Sequence, residues 1–329
     1  MNRSLLLDFL RVFAIALVFI AHFGQVLDHS AGSFFGVKNF YYVSLGGLGV
    51  SLFLILSGVL AGLGGSSKNE SYLLYMLKKV LRIYPLYLLS VPIAIVGYLL
   101  GGLLMEGDLP ELFPNGFLVD LLGSITCFYS WAGMWGGPYN SPSWFIALIM
   151  VMYALFPLLF YCIKRAPHIT LVVLLAVSVL SRWYIGQEGI PFVAGSLFDE
   201  LKGWAYRQYG FMPGRPGDWF PLCRVFEFGL GIYIALRVPK TFWFRLQFRF
   251  TQPVRVLSDL AFPLFLIHYP FMFLVLWFAE LGLHLYLSIG VYLCLLFVAA
   301  WWVNSLDNRV PRKRIIALFT TGRLTETPV

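Results

Sequence analysis

The sequence predicts an all-α protein, a polytopic transmembrane helix bundle of about 8–10 spans with both termini cytoplasmic. Three observations predict it. The chain is 59% hydrophobic and 12% charged, against roughly 25% charged residues in soluble domains. Its apolar residues fall in runs long enough to cross a bilayer, which takes about 20 residues at 1.5 Å each. Its cations flank those runs and alternate between many and few from one connection to the next. A soluble domain carrying one anchor is thereby excluded. The net charge of +8 invites a nucleic-acid partner, but the cations form no single patch, so they read as membrane topology and no nucleic acid is expected.

Eight spans are read at 5–27, 43–63, 82–103, 143–163, 168–185, 220–237, 257–279 and 283–304. The pieces 117–135 and 190–206 are too short or too polar to assign; two more crossings there would make ten. With eight spans, the cytoplasmic segments hold Arg3, the group Lys68 to Arg82, Lys164 and Arg165, the group Arg237 to Arg255, and the group Arg309 to Arg323. The outer segments hold only Lys38, Lys202, Arg207 and Arg215, together with acidic residues such as Asp28, Glu106, Asp108 and Glu188. An odd number of spans would destroy this bias. The chain divides into a membrane domain, 1–307, and a short basic cytoplasmic tail, 308–329.

The first span carries Asp8, Arg11 and His22 in LLLDFLRVFAIALVFIAH. Its apolar run is too long for a removable signal peptide and lacks a small-residue cleavage site. Charged groups at membrane depth are costly and point to function. Arg11 and His22 return to nearly the same helix face, roughly 16 Å apart along the axis. Asp8 precedes Arg11 by three residues and can pair with it. A polar stripe of this kind must face protein or water rather than lipid. It reads either as a structural ion pair with a packed histidine or as part of a reaction path.

The second span holds small residues at Gly46, Gly47, Gly49, Ser57 and Gly58, which permit close helix approach; Ser57 is alternatively the lining of a polar path. The third opens on Lys78-Lys79-Val80-Leu81-Arg82-Ile83-Tyr84-Pro85, a basic turn that is either an orientation anchor or a site for a phosphate-bearing ligand. Pro85 is expected near the helix start, where it is tolerated. The connection 104–142 is rich in Gly and Pro and leads to Trp144, expected at the outer interface among belt aromatics. A second outer loop, 186–219, carries Trp204, Tyr206, Tyr209 and Trp219, aromatics suited to stacking on sugars.

The sixth span opens with Arg224 and Glu227, spaced to pair. The seventh has His268 beside Pro270, a kink site. Cys127, Cys162, Cys223 and Cys294 lie apart in apolar surroundings with no CxxC, so neither a disulfide nor a metal site is expected.

The ordered set LDFLRVFAIALVFIAH (7–22), GVSLFLILSG (49–58), KKVLRIYPLYLL (78–89), SWFIALIMVMYALFPLL (143–159), CRVFEFGLGIYIA (223–235) and FPLFLIHYP (262–270) resembles the acyltransferase 3 family of integral membrane acyltransferases. The combination covers nearly the whole chain. The resemblance implies a cytoplasmic acyl-CoA donor, usually acetyl-CoA, and a glycan or lipid-linked saccharide acceptor outside. It makes His22 similar to the family's essential histidine and Arg11 to its arginine partner. Lys79 and Arg82 stand where the family has Arg-x-x-Arg, so donor binding rests there on a lysine in place of an arginine. Ile149 stands where many members have a glutamate, and the WFIALIMVMY form looks more like the sugar O-acetylase and polysaccharide branch. The tail from Asn308 is too short for an SGNH-type esterase domain.

Acyl transfer to a hydroxyl needs a base, and histidine titrates near working pH. His22 is the expected base, with Arg11, Lys79 and Arg82 on the CoA phosphates. Asp8, Ser57, Tyr84, Trp144, Arg224, Glu227 and His268 are second-rank candidates. No metal is expected. A bacterial inner membrane fits the absence of an organelle signal and the compact loops. The other readings are a transporter or flippase for a glycan, which membrane histidines and ion pairs also serve, and a non-catalytic scaffold for glycan assembly. Assembly into a homo-oligomer stays open.

Overall fold

The computed structural model describes residues 3–28, 45–65, 70–127, 129, 136–188, 220–245 and 251–321. Among these, every regular element is helical. The chain runs through α1 (Leu5–Asp28), α2 (Leu45–Gly64), α3 (Tyr72–Met105), α4 (Phe117–Thr126), α5 (Trp144–Arg165), α6 (Pro167–Glu188), α7 (Pro221–Arg237), α8 (Lys240–Phe244), α9 (Thr251–Ile267), α10 (Leu274–Glu280), α11 (Leu285–Asp307) and α12 (Arg312–Thr321), with short 3₁₀ turns at Ser141–Ser143 and Tyr269–Phe271.

Among the described residues, six helical stretches are long and apolar enough to cross a membrane, carrying α1, α2, α3, α5, α6 and α11, and the bent pair α9–α10 makes a seventh when its halves are taken as one span. The remaining expected span, the sixth in order at 220–237, forms α7, whose 17 residues fall short of that length. It still runs through the middle of the bundle. Phe228 and Ile232 are fully buried, and so are Phe156 and Met152 on α5. The outward faces of α5, α6 and α11 stay apolar, as at Leu158, Ile169, Val172 and Val298. Apolar surface so spread over several helices suits a lipid environment and would be a liability in water. Segment 117–135 yields the ten-residue α4, too short to span. Segment 190–206 and the aromatics Trp204, Tyr206, Tyr209 and Trp219 lie outside the described residues.

Small residues set the tightest contacts. A Cβ added at Gly58 would come 2.2 Å from the Phe228 carbonyl oxygen, and one at Gly231 would come 2.1 Å from that of Ile55. Backbone meets backbone there, so α2 and α7 approach closely along their shared length. Further along, Gly62 faces Ala235 and Ser51 faces Arg224, so both helices run in the same direction. Gly49 meets Ala14 and Val18, and Gly46 meets Ala21, so α1 runs antiparallel to α2.

One expectation is corrected. Helix α3 begins at Tyr72, where the Ser71 hydroxyl caps the Leu74 N–H at 3.3 Å. Pro85 is therefore well inside the helix, and so is Pro92. Trp144, expected at the outer interface, is 8% exposed and packs edge-on to Phe145 at 6.1 Å.

Candidate active site

The polar stripe of α1 lies against α9 along its length. At the N-terminal end, Ser4 caps α1 by accepting from the Leu7 N–H at 3.4 Å. Asp8 is 1% exposed and accepts from Arg3 Nε at 2.6 Å, Ser258 Oγ at 2.9 Å and Arg11 Nη1 at 3.1 Å. The i,i+3 ion pair anticipated from spacing is thus present, and it is one bond of three. Arg3 also reaches Asp259, at 2.8 Å, which ties the start of α1 to α9. A buried carboxylate without such partners would cost several kcal/mol; here each oxygen is occupied.

Arg11 and Lys79 each lie within electrostatic range of Arg82. Lys79 Nζ stands over the Tyr153 ring at 4.6 Å and the Tyr75 ring at 5.1 Å. Neither Lys79 nor Arg82 forms an ion pair or hydrogen bond with a described residue. Lys78, the neighbouring cation, pairs with Glu70 at 2.5 Å, and Glu70 also lies within electrostatic range of Lys79. Three cations held together with one buried carboxylate on one of them make a site with donors to spare for an anion. The Tyr75 hydroxyl is also buried there without a partner among the described residues.

At the other end of the stripe, half-buried His22 meets fully buried His268. His22 Nδ1 lies 2.7 Å from His268 Nε2, with the rings stacked at 5.0 Å. His268 Nδ1 faces two backbone carbonyls, Phe265 at 2.9 Å and Leu264 at 3.1 Å. Phe19 covers its ring at 4.7 Å.

The backbone break that puts His268 there follows from Pro270. Proline has no N–H, so the Leu266 carbonyl loses its usual i+4 donor. The Asn140 side-chain amide replaces it at 2.7 Å. The His268 carbonyl is taken by the Tyr292 hydroxyl at 2.6 Å. The helix pair then bends by 63°. Helix α3 supports the bend: a Cβ at Gly97 would come 2.8 Å from the Pro270 carbonyl oxygen. Asn140 also lines a small cleft with Tyr87, Ser124, Tyr139 and Ser143.

The second-rank residues are dispersed. Arg224 pairs with Glu227 at 2.9 Å and with Ser51 Oγ at 2.9 Å. Arg182 joins Glu227 at 3.2 Å, making a polar knot among α2, α6 and α7. Ser57 is half-buried on α2 beside the α7 contact. The Tyr84 hydroxyl turns to the Thr126 carbonyl, at 3.4 Å, at the end of α4. Trp144 sits in the core. Sequence reasoning missed Ser258, Asn140, Tyr153 and Tyr292. Only Asn140 had a local signal, indirectly, because Pro270 announces an orphan carbonyl without saying what fills it. None of the four cysteines is in a disulfide, and no described His, Cys, Asp or Glu residues form a metal-ligand group. Burial pushes the Cys127 thiol up to about 12, against a smaller opposing effect of its hydrogen bond with Tyr87.

A sequence profile described as an acyltransferase domain matches residues 5–251. Acyltransferase MdmB of Streptomyces mycarofaciens is 27% identical over 254 residues, which is 71% of this chain and 57% of that protein. The chain thus spans little more than half the length of that relative. No solved structure matches. The profile ends at the start of α9, so His268 and Tyr292 lie beyond it, while His22, Arg11, Lys79 and Arg82 lie within it. A match over most of the chain, on an apolar helical bundle, establishes that this integral membrane protein belongs to the acyltransferase 3 family.

Proposed function

We propose that this protein moves an acyl group, acetyl being the first choice, from cytoplasmic acyl-CoA to a hydroxyl of a glycan or lipid-linked saccharide on the far side of a bacterial inner membrane. The observation that carries the proposal is the division of α1. One end gathers Arg11, Lys79 and Arg82 with donors to spare, and the other presents a half-buried imidazole at His22. The charge bias along the sequence puts the first end inside and the second outside.

Each residue then has one task. Lys79 and Arg82 hold phosphate oxygens of the donor, where a lysine acts as a point charge and an arginine can bind in a fork. Arg11 joins them while Asp8 and Ser258 fix its guanidinium. The pantetheine arm follows the stripe roughly 16 Å toward His22. There the acceptor hydroxyl gives its proton to His22 as its oxygen attacks the thioester carbonyl. The carbon–oxygen bond forms, the carbon–sulfur bond breaks, and CoA leaves as a thiolate that takes up a proton. A positioned base supplies about 10²–10⁴-fold.

The test uses the purified protein in nanodiscs with radiolabelled acetyl-CoA and candidate acceptors from O-antigen, capsule, exopolysaccharide and peptidoglycan. Label is expected on a saccharide hydroxyl, reduced by about 10²–10⁴-fold in His22→Ala. A wild-type protein that labels no acceptor but moves glycan or protons across liposomes would sink the proposal in favour of transport. Full transfer by His22→Ala would remove His22 as base.

A further inference from the structure

We infer that His268 is a positioning residue that holds His22 as its Nδ1–H tautomer and leaves His22 Nε2 as the nitrogen that accepts the substrate proton. The catalytic half of this inference rests on the proposed function; the tautomer does not.

The chain of reasoning starts at the carbonyls. Both groups within reach of His268 Nδ1 are backbone oxygens, Phe265 at 2.9 Å and Leu264 at 3.1 Å. They can only accept, so Nδ1 carries the hydrogen. His268 is 0% exposed, its ring neighbours besides His22 are Phe19, Phe265 and Tyr269, and no described carboxylate pairs with it. An unpaired charge in such a place is expensive, so the ring is neutral. A neutral imidazole with hydrogen on Nδ1 has a bare lone pair on Nε2. That lone pair lies 2.7 Å from His22 Nδ1, so His22 donates there. Neutral His22 then has its own lone pair on Nε2.

The two rings thus work in series. The hydrogen bond that one nitrogen makes decides what the other can do. His268 orients His22 without bringing a negative charge into the bilayer, unlike a carboxylate in the same place. When His22 takes a proton at Nε2, its Nδ1–H bond to His268 becomes charge-assisted and shortens. The backbone around the break is rigid enough for this task. Asn140 holds the Leu266 carbonyl and Tyr292 holds the His268 carbonyl, and the 3₁₀ turn at Tyr269–Phe271 fixes the chain beyond it.

The experiment has two arms. In the first, protein containing ¹⁵N-labelled histidine is placed in nanodiscs without donor or acceptor, and the His22 ring signals are assigned by their loss in His22→Ala. Nδ1 is expected protonated and Nε2 unprotonated. A His22 that carries its hydrogen on Nε2 overturns the inference whether or not the protein transfers acetyl groups. In the second arm, His268→Gln and His268→Leu are compared. Glutamine offers an amide oxygen at about the reach of the imidazole Nε2; leucine offers no acceptor. His268→Leu is expected to shift His22 toward the Nε2–H form and to lower kcat by about 10²-fold or more, as loss of an orienting partner does in other proton-transfer pairs, with KM for acetyl-CoA unchanged. His268→Gln is expected to keep the wild-type tautomer and to stay within about tenfold of wild-type kcat, a barrier change of about 1.4 kcal/mol. Equal loss in both variants with the His22 tautomer intact would mean that His268 only packs, and would overturn the assignment.

Discussion

Arg82 and Lys79 are neighbours on one helix turn, but in the proposed reaction they would hold a donor phosphate by different means. Arg82 is exposed and unpaired among the described residues, whereas Lys79 is drawn in over Tyr153 and Tyr75. Arg82→Ala is expected to raise KM for acetyl-CoA about tenfold with little change in kcat, since a charge-assisted contact contributes about 1.5–3 kcal/mol. Steady-state kinetics at fixed ionic strength checks this, and a fall in kcat with unchanged KM would contradict it. Lys79→Arg should keep binding at or above the wild-type level because the replacement keeps the cation and its ring contacts. Asp8→Ala should destabilise the fold by about 1–3 kcal/mol and raise KM as well, because it leaves Arg11 and Ser258 without their acceptor; thermal melting in detergent reads the first effect. The Asp8–Arg11 pair was visible in the sequence because i,i+3 spacing is local. The His22–His268 contact was not, since 246 positions separate the two rings. Both histidines stood out as membrane histidines, but only the fold shows their ring nitrogens 2.7 Å apart. The surroundings of Trp144 and Tyr84 were hidden for the same reason: residue type does not reveal that one packs into the core and the other turns to the end of α4.

At the scale of the element, two helices depend on what they lack. Helices α2 and α7 touch where Gly58 and Gly231 have no side chains. Gly58→Leu should push them apart, with a cost of at least the roughly 1–3 kcal/mol of ordinary overpacking and a lowered melting temperature. An unchanged melting temperature would show that the contact is looser than described. The glycine pattern of α2 announced close approach without naming α7 as the partner. The broken span α9–α10 lacks a donor at Pro270, which was legible as a kink; its support by Asn140, Tyr292 and Gly97 was not, because all three lie far away in the sequence. Asn140→Leu should reduce acyl transfer even though Asn140 touches neither histidine ring, since it releases the Leu266 carbonyl two residues before His268. Measured transfer equal to wild type would separate that loop from the site.

For the molecule as a whole, helix direction links fold to function. Asp8 contacts Ser258 and His22 contacts His268, so α1 and α9 run the same way. Helix α7 runs parallel to α2 and antiparallel to α6, whose Arg182, Ser178 and Leu174 meet residues progressively further along α7, from Cys223 to Gly229. A seventeen-residue helix with a buried arginine was read as one of eight spans from its apolar run, and the alternation of charge agreed with that number. It is shorter and more polar than the helices able to span, and much of its surface is buried against protein. Taking α7 as a crossing gives eight and returns α12 to the side of the N-terminus, as the basic residues require. Thr320→Cys should then be labelled by an impermeant maleimide only from the inner side, and Leu281→Cys only from the outer side; the reverse pattern would contradict the orientation. The orientation in turn sets the most direct test of the central claim, that α1 links an inner donor site to an outer acceptor at His22. The measurement is acetyl transfer in sealed proteoliposomes of one protein orientation, with labelled acetyl-CoA trapped on the side of Arg82 and the saccharide supplied on the side of His22. Label should reach the saccharide in the wild type and fail to reach it in His22→Ala. Transfer that occurs only when donor and acceptor share one compartment would contradict the account.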